Sequence, residues 1–379
     1  MKAEKQRRTR MEKTAKKSKK ALKIVIIVLV VLAVVITAGL YALSVMIYNQ
    51  FFGIRYETNE LMAFSVSDFD GLRCEEHFFT SDKGQKLAGY LYTSNNDTYN
   101  DKIVVIAHGL GGGGHNSYMD VCNYFASNGF AVFAYDVTGN DNSEGESCYG
   151  LPQGVIDLRY AIDYVKSLDG SADSDILLLG HSWGGYSVTN VLTYHPDVKA
   201  VVSFAGFDKS TDLIYSQGKA MAGDAVDVVM PFLNIHEALT FGEYASNNAS
   251  KAFEATQAKI MVLHSWDDNT VPIEYGYEIW YDKYRDNPRF TFVCFTDKGH
   301  SAIMQSEEAR EYMKEFQAKG EAWKEALGYD TEAEENKERY KDDLANFYAE
   351  NFDKQAYGYM LDYEIFDKVT EFYLEACGN

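Results

Sequence analysis

Residues 176–185 read Ile-Leu-Leu-Leu-Gly-His-Ser-Trp-Gly-Gly. The run begins with four apolar residues, as a buried strand does, and continues as Gly-x-Ser-x-Gly before a stretch of small residues. The two glycines permit a tight turn that holds a serine hydroxyl out at the end of the strand. The helix expected after the turn directs its amide N–H groups at the same point. Ser182 is therefore the candidate nucleophile, and the alternative is a glycine-rich turn with an incidental serine.

A serine hydroxyl is a weak nucleophile without a neighbouring base, so a histidine is expected later in the chain. His300 follows the last apolar run and should stand at the same sheet edge as Ser182. An acid that orients this histidine is expected between the two. Asp267 and Asp268 follow the preceding apolar run, and Asp208 follows an earlier one. The residues alone leave the choice of acid open.

Acyl-transfer chemistry also needs amide donors for the negatively charged oxygen of the tetrahedral intermediate, and losing one donor costs ~3 kcal/mol. The amide of Trp183, directly after the candidate nucleophile, is one such donor. The second is expected in the loop 108–114, His-Gly-Leu-Gly-Gly-Gly-Gly, whose glycines allow the backbone to approach a substrate closely. We assign the amide of Leu110 to this role.

The same loop carries a competing signal. Gly109-x-Gly111-x-x-Gly114 fits the dinucleotide-binding fingerprint, and Asp136 ends the next apolar run. This pattern alone would indicate a nicotinamide- or flavin-dependent oxidoreductase. A histidine precedes the glycines, however, and an antiparallel hairpin is expected before the strand. The oxidoreductase hypothesis also leaves the candidate nucleophile, acid and base unexplained.

Short apolar runs alternate with helix-like stretches along the body of the chain. The first two runs flank a Ser-Asp-Lys-Gly turn and predict a hairpin. The later runs are continuously apolar, as strands covered on both faces are. The predicted strands are 75–80, 87–93, 103–107, 130–135, 176–179, 200–204, 260–263 and 290–295, with helices at 118–127, 155–167 and 185–194. The pattern predicts an α/β fold with a mostly parallel sheet of about eight strands between helices.

Two stretches interrupt this alternation. Residues 207–256 are too long for an ordinary connection, and they predict a helical cap with pieces near 213–222 and 235–244. Residues 305–363 are rich in Glu, Lys and Tyr and predict a helical insertion. The last piece, about 363–376, has apolar residues at helical spacing and should pack on the sheet. These parts lie within a catalytic domain predicted at 71–379.

The N-terminal region predicts a membrane anchor. Residues 24–47 carry no charge, and as a helix they span about 36 Å, enough to cross a hydrocarbon layer of ~30 Å. Residues 1–23 hold eleven Lys or Arg, which predicts a cytoplasmic tail by the positive-inside rule. We predict an anchor at 24–48, a tether at 49–70 and a catalytic domain outside the cytoplasm. The alternative is a cleaved signal peptide, whose apolar region is shorter.

Composition excludes some functions. Residues 24–379 contain 25 basic and 54 acidic residues, a net charge of −29, and so large an acidic excess argues against binding nucleic acid. Five cysteines without a CxxC or Cys/His cluster indicate neither a disulfide framework nor a zinc site. The oligomeric state is not predictable from the sequence.

These motifs together resemble the α/β-hydrolase family, in particular its monoglyceride-lipase and serine-aminopeptidase-like branch. The resemblance covers about 73–306 and the last helix. It includes the opening hairpin, the His108-Gly109 loop, and residues 136–145, which look like the family's D-x-R-G-x-G-x-S-x-G loop. Thr138 replaces the usual Arg and Asp141 the usual Gly. In the family two residues separate the acid from a Val-Pro pair, and this spacing selects Asp268.

The resemblance implies a serine hydrolase that cleaves an ester or amide of a small or lipid-like acyl substrate through an acyl-enzyme, without a cofactor. The predicted catalytic residues are Ser182, Asp268 and His300. The predicted cap carries seven acidic and three basic residues, which could favour a substrate with a positive amino end or simply be a solvated face. A catalytically silent binding protein with the same fold is the alternative from another functional class.

Overall fold

Eight strands form one sheet in the computed structural model, which describes residues 1–378 apart from the side chains at positions 12 and 15. The strands are β1 (Arg73–Thr80), β2 (Lys86–Thr93), β3 (Tyr99–Ala107), β4 (Phe130–Tyr135), β5 (Asp175–His181), β6 (Ala200–Phe204), β7 (Lys259–Ser265) and β8 (Phe290–Phe295). Their spatial order is β1-β2-β4-β3-β5-β6-β7-β8. All eight predicted strands are present, and the predicted fold class is confirmed.

The sheet is antiparallel at one edge and parallel elsewhere. The β1–β2 hairpin pairs antiparallel, and β2 continues antiparallel to β4. The neighbouring pairs from β4 to β8 are all parallel. Because the central strands are covered on both faces, their residues are buried continuously, and Val104, Leu178 and Val202 have no exposed surface. The parallel arrangement brings the carboxyl ends of six strands to one edge.

The described residues include twelve α-helices, and several of them cover the two faces of the sheet. They are α1 (Lys2–Phe52), α2 (Met119–Ser127), α3 (Leu151–Ser167), α4 (Trp183–Asn190), α5 (Ser210–Ala222), α6 (Val226–Phe241), α7 (Ala249–Ala255), α8 (Tyr277–Tyr284), α9 (Glu307–Ala326), α10 (Lys337–Asn351), α11 (Lys354–Tyr357) and α12 (Tyr363–Cys377). Apolar side chains of α3, α4, α7 and α8 pack on one face. Those of α2 and α12 pack on the other. The hydroxyl of Tyr373 in α12 donates to the carbonyl of Leu178 in β5 at 2.7 Å.

Residues 207–256 fold as three helices, α5 to α7. The first matches the predicted piece at 213–222. The second begins at Val226, nine residues before the start predicted at 235, and contains Pro231. A proline inside a helix removes one backbone hydrogen bond, and here burial of Leu233 and Phe241 on the body of the protein offsets that loss.

Residues 305–363 form helices α9, α10 and α11, which share a small apolar cluster of their own. Phe316, Phe347 and Phe352 are buried there, and Trp323 stacks on Phe347 with ring centroids 4.8 Å apart. Helix α12 follows, with its first turn capped by the side chain of Asp362. This helix lies where the sequence predicts it, at about 363–376.

Helix α1 is continuous from Lys2 to Phe52 and has two different surroundings. Its apolar residues 24–36 are exposed, and the helix is long and apolar enough to cross a membrane. Its last turns pack on α6, where Ser44 and Tyr48 are buried. The hydroxyl of Tyr48 donates to the carboxylate of Glu237 at 2.9 Å.

Candidate active site

Ser182 occupies the turn between β5 and α4 in a backbone conformation that side-chain-bearing residues rarely adopt, with φ 57°. Its amide donates to the carbonyl of Phe204 on β6 at 2.8 Å, which fixes the turn to the sheet. Neither glycine of the motif has room for a side chain. A Cβ at Gly180 would lie 2.2 Å from the Gly184 carbonyl oxygen, and one at Gly184 would lie 1.9 Å from that of Ala107. The turn therefore holds the serine hydroxyl at the carboxyl edge of the sheet.

The predicted acid and base reach this hydroxyl in one line of hydrogen bonds. Ser182 Oγ lies 2.9 Å from Nε2 of His300, and Nδ1 of His300 lies 2.7 Å from Oδ2 of Asp268. The carboxylate accepts a hydrogen bond from the Nδ1–H group, which leaves Nε2 free to accept a hydrogen bond from the serine hydroxyl. Asp268 is fully buried at its side chain and His300 is 12% exposed, so the line runs from the protein interior to a partly exposed serine.

Asp268 is held as an anion by its surroundings. Burial alone would raise the pKa of this carboxyl, but the hydrogen bond from His300, the positive charge that His300 can carry, and the Val271 amide outweigh it. The pKa of Asp268 therefore lies below its ordinary value. Its Oδ1 accepts the amides of Thr270 and Val271 at 2.9 and 2.8 Å. The acid is thus ionised and fixed before any substrate binds.

The other two candidate acids have different partners. Asp267 accepts the Ser265 hydroxyl at 2.6 Å and the Gly299 amide at 2.8 Å, so it holds the loop that carries the histidine. Asp208 accepts from Ser250 and from Trp280 Nε1, at 2.9 Å for the tryptophan. Only Asp268 of the three contacts the His300 ring within the described residues.

The predicted oxyanion donors belong to two loops that leave the sheet side by side. Ala107 at the end of β3 pairs with Gly180 near the end of β5, so the loop 108–114 runs next to the Ser182 turn. His108 orients the Gly109–Leu110 peptide: its Nε2 accepts the Val137 amide at 3.0 Å, and its Nδ1 donates to the Gly109 carbonyl at 2.7 Å. This bond restrains one side of the peptide that carries the Leu110 N–H.

Two further residues, Tyr118 and His181, were not predicted from the sequence. They connect the loop 108–114, here called the glycine loop, to the loop that carries His300. The Tyr118 hydroxyl accepts the Gly109 amide at 3.0 Å and donates to His181 Nδ1 at 2.9 Å. His181 Nε2 then donates to the carbonyl of His300 at 3.0 Å. Burial lowers the pKa of His181 to about 3, which keeps the ring neutral for this chain of bonds. The sequence signal that could have identified His181 is its position inside the Gly-x-Ser-x-Gly motif.

Asp136 does not have the surroundings that the dinucleotide fingerprint requires. Its carboxylate is fully buried and accepts the amide and Nδ1 of His115 at 2.8 and 2.7 Å. A Cβ at Gly114 would lie 2.0 Å from Asp136 Oδ1, so this glycine is needed to bring the loop onto the carboxylate. An acid meant for a ribose hydroxyl would instead face a ligand.

Within residues 1–378, no group of three or more His, Cys, Asp or Glu side chains has the arrangement of a metal site. All five cysteines are free thiols. Burial raises the pKa of the Cys148 thiol to about 12, so this thiol is a buried apolar group and not a nucleophile.

Comparison with known proteins gives one family match and several relatives. Residues 98–264 match the family model of the serine aminopeptidases, S33. The chain is 29% identical over 130 residues to caffeoylshikimate esterase of Arabidopsis thaliana, covering 31% of this chain and 39% of that protein. It is 25% identical over 135 residues to pyrethroid hydrolase of Sphingobium wenxiniae, covering 34% of this chain and 46% of that protein. The chain thus spans less than half the length of these curated relatives.

Solved structures share the fold at low sequence identity. An α/β hydrolase from Vibrio vulnificus superimposes with a TM-score of 0.52 at 17% identity, covering 72% of this chain and 92% of that one. An esterase from Pyrococcus furiosus superimposes with a TM-score of 0.50 at 18% identity, covering 72% of this chain and 99% of that one. Sheet order and these structures show that the chain has the α/β-hydrolase fold, and residues 98–264 are similar to the serine aminopeptidase family, S33.

Proposed function

We propose that this protein is a serine hydrolase that cleaves an ester through an acyl-enzyme, with Ser182 as nucleophile, His300 as base and Asp268 as orienting acid. The observation that carries the proposal is the line of hydrogen bonds from a buried, ionised carboxylate through one imidazole to a partly exposed serine on a strained turn. This geometry meets the requirements for activating a hydroxyl: a base within hydrogen-bond reach, and a third group that orients the base.

The reaction proceeds in two halves. His300 Nε2 takes the hydroxyl proton as Ser182 Oγ attacks the carbonyl carbon, and the resulting imidazolium is stabilised by Asp268. The imidazolium then gives that proton to the leaving oxygen, and the acyl group remains on the serine. In the second half a water molecule loses its proton to His300 and attacks the acyl carbon, and the proton returns to Ser182 as the acid product leaves.

The amides of Leu110 and Trp183 stabilise the negative oxygen in both halves. Neither amide donates a hydrogen bond to another residue in the described part of the chain, so both N–H groups remain available for a substrate oxygen. The bond from His108 to the Gly109 carbonyl helps to orient the Leu110 N–H before substrate arrives. Such prearranged donors require no reorganisation during the reaction.

An ester is the better substrate class than a peptide with a free amino end. Two of the relatives have names that describe an esterase and a pyrethroid hydrolase. The acidic excess of residues 207–256 provides less negative charge for a substrate ammonium than the number of acidic residues suggests. Asp208, for example, is buried and fully hydrogen-bonded. Burial raises the pKa of Glu237 to about 7, so it is a poor fixed anion for a substrate ammonium.

Helix α1 anchors this domain to a membrane in our proposal, with residues 1–23 in the cytoplasm and the catalytic domain on the other side. About 20 helical residues cross a hydrocarbon layer, so a span that begins at Ile24 leaves the layer close to Ser44. Helix α6 packs at that level, with Ser44 Oγ 3.5 Å from the Val229 carbonyl. Three of its exposed side chains are apolar and lie on one face: Val228, Ile235 and Leu239, 55%, 49% and 74% exposed. This surface suits the bilayer interface and a lipid-like substrate.

The test uses the full-length protein in detergent micelles. p-Nitrophenyl esters of graded acyl length are compared with aminoacyl-naphthylamides, and the Ser182→Ala variant is the control. We expect ester turnover by the wild-type protein and about 10⁵-fold or greater loss in the variant. Turnover that survives the substitution would contradict the assignment of Ser182. Turnover of the naphthylamides alone would contradict the ester class, and no turnover of any substrate would favour a silent binding protein.

A further inference from the structure

The segment that follows the anchor helix is built into the catalytic domain. Residues 53–64, here called the strap, cross the loop 136–145 and end beside the glycine loop. Tyr56 forms a bridge with Asn140, with its amide 3.1 Å from the Gly139 carbonyl oxygen. At the far end, the Asn116 side chain bonds both the amide and the carbonyl of Phe64, at 2.9 and 2.8 Å. The sequence predicted a tether here, and these contacts are those of a packed segment.

The guanidinium of Arg55 in the strap donates hydrogen bonds to three carbonyl groups of the 136–145 loop. Arg55 donates to the carbonyls of Asp141 and Gly145 at 2.6 Å each, and to that of Ser143 at 3.0 Å. The family's motif has an arginine inside this loop, at the position that Thr138 occupies here. In this chain Arg55 of the strap contacts the loop, and Thr138 occupies the position of the motif's arginine.

Asp141 joins the strap to the glycine loop. Its carboxylate accepts the amide and the hydroxyl of Thr58, both at 2.6 Å, and the amide of Gly114 at 2.8 Å. Its backbone has φ 34°, in the left-handed region that favours glycine, and glycine is what the family's motif has at this position. The chain thus keeps a strained aspartate where a glycine would fit the backbone better, and the carboxylate makes three hydrogen bonds.

The strap backbone lies directly on the glycine loop. A Cβ added at Gly113 would lie 2.3 Å from the Thr58 amide nitrogen, and Gly113 itself has φ 80°. Residues 111–114 are all glycine and have no side chains of their own to fix the loop. At its start the loop is held by His108 and Tyr118. In its middle the Ser117 hydroxyl donates to the Gly112 carbonyl at 2.6 Å. At its end Asp141 accepts the Gly114 amide and Asp136 accepts the next amide, at His115.

We propose that Asp141 is a positioning residue that clamps the strap and the glycine loop together, so that the chain leaving the membrane anchor holds the Leu110 amide in its catalytic position. The proposal rests on the serine hydrolase function proposed above. Loosening the end of the loop lets the Leu110 N–H move from the point where negative charge develops, which slows the chemical step. Ground-state binding of an ester does not need that donor in place, so KM changes less than kcat.

The test compares four variants of the full-length protein in detergent micelles with p-nitrophenyl butyrate. Asp141→Gly removes the carboxylate and relieves the backbone strain, while Asp141→Asn keeps the shape but leaves only one accepting oxygen. Both should lower kcat about 10- to 100-fold, with KM within about threefold of wild type. Thr58→Val should lower kcat less, about threefold, because its amide still reaches the carboxylate. The matched control Thr58→Ser keeps the hydroxyl and should stay within about twofold.

A second readout follows amide hydrogen exchange in the peptide that covers 109–116 in the same proteins. The clamp predicts faster exchange there in Asp141→Gly than in wild type, with unchanged exchange in the central strands. Unchanged kcat in both Asp141 variants would overturn the proposal, as would a rise in KM that accounts for the whole loss. Failure of the proposed function is distinguishable, because the wild-type protein would then show no turnover. In that case the catalytic role of the clamp is refuted, and the exchange measurement reports only its structural role.

Discussion

In the described part of the chain, two hydrogen-bonded His–Asp pairs lie near the carboxyl edge of the sheet, and their geometry is nearly the same. His300 and Asp268 are 2.7 Å apart, as are His115 and Asp136, and in both pairs Nδ1 faces the carboxylate. The difference lies in what else each ring contacts. His300 presents Nε2 to a serine hydroxyl at 2.9 Å. His115 instead stacks on Tyr90, with ring centroids 3.6 Å apart.

This difference shows that a buried His–Asp pair is not by itself a sign of catalysis. The carboxylate of Asp136 is used to fix backbone, since it accepts the amides of His115 and Asn142. Burial would raise the pKa of Asp136, but the bonds and charge of His115 outweigh burial and hold that pKa below its ordinary value, as at Asp268. The direction of the aspartate pKa shift therefore does not separate the pairs, whereas the other contacts of each imidazole do.

The largest expected effect comes from replacing each histidine by glutamine. His300→Gln removes the proposed base and should lower kcat/KM about 10⁴-fold or more. His115→Gln should lower Tm and leave kcat/KM within about tenfold, because the ring touches no reacting atom. Ester hydrolysis and thermal unfolding of the two variants measure both quantities. Equal losses of activity would remove the distinction between the pairs.

Replacing each aspartate by asparagine should separate catalysis from stability in the same way. Asp268→Asn turns the imidazole away from the required tautomer and should lower kcat about 10³- to 10⁴-fold. Asp136→Asn leaves His115 and its backbone donors partly unpaired in the interior and should reduce the free energy of unfolding by about 2–4 kcal/mol. A folded Asp268→Asn protein that keeps wild-type kcat would contradict the proposed role of this acid.

His181 connects the two halves of the site and predicts a pH dependence of stability. Its pKa falls from the ordinary histidine value to about 3 in the folded protein because of burial. The unfolded chain therefore binds this proton more readily below about pH 6.5, and the stability due to neutral His181 is lost as pH falls from there towards 3. We expect the Tm of wild type to fall more steeply between pH 7 and 4 than that of His181→Gln. Parallel Tm profiles would show that His181 is not the group responsible.

Asp267→Asn should have the smallest effect of these substitutions. Asp267 accepts from Ser265 and Gly299 and does not touch the imidazole, so its loss loosens the loop before His300 without removing the acid. We expect kcat to fall less than about tenfold, against the much larger loss for Asp268→Asn. A loss as large as that of Asp268→Asn would mean that the neighbouring aspartates share the role.

The sheet and the principal site residues were predictable from sequence because each has a strong local signal. Parallel strands buried on both faces read as continuous apolar runs, and Ser182 lies in a motif that only a tight strand-to-helix turn explains. The choice between Asp267 and Asp268 is different. They are adjacent in one loop, and only the resemblance to a known family or the coordinates separate them.

The features that the sequence did not predict depend on contacts between distant segments. His181 and Tyr118 are 63 residues apart. They meet because β5 pairs with β3, the strand from which the glycine loop leaves the sheet. Thr58 and Asp141 are 83 residues apart, and neither carries a motif that marks the contact. The early start of α6 was missed because Pro231 argues locally against a helix, whereas burial of Leu233 and Phe241 favours it.

The most direct test of the central claim is to label the full-length protein with a fluorophosphonate and to locate the adduct by peptide mass spectrometry. The hydrogen-bonded line from Asp268 to Ser182 predicts one modified residue, Ser182, with labelling lost in Ser182→Ala and slowed in His300→Gln but unaffected in His115→Gln. An adduct on another residue, or labelling of wild type and Ser182→Ala to the same extent, would contradict the account.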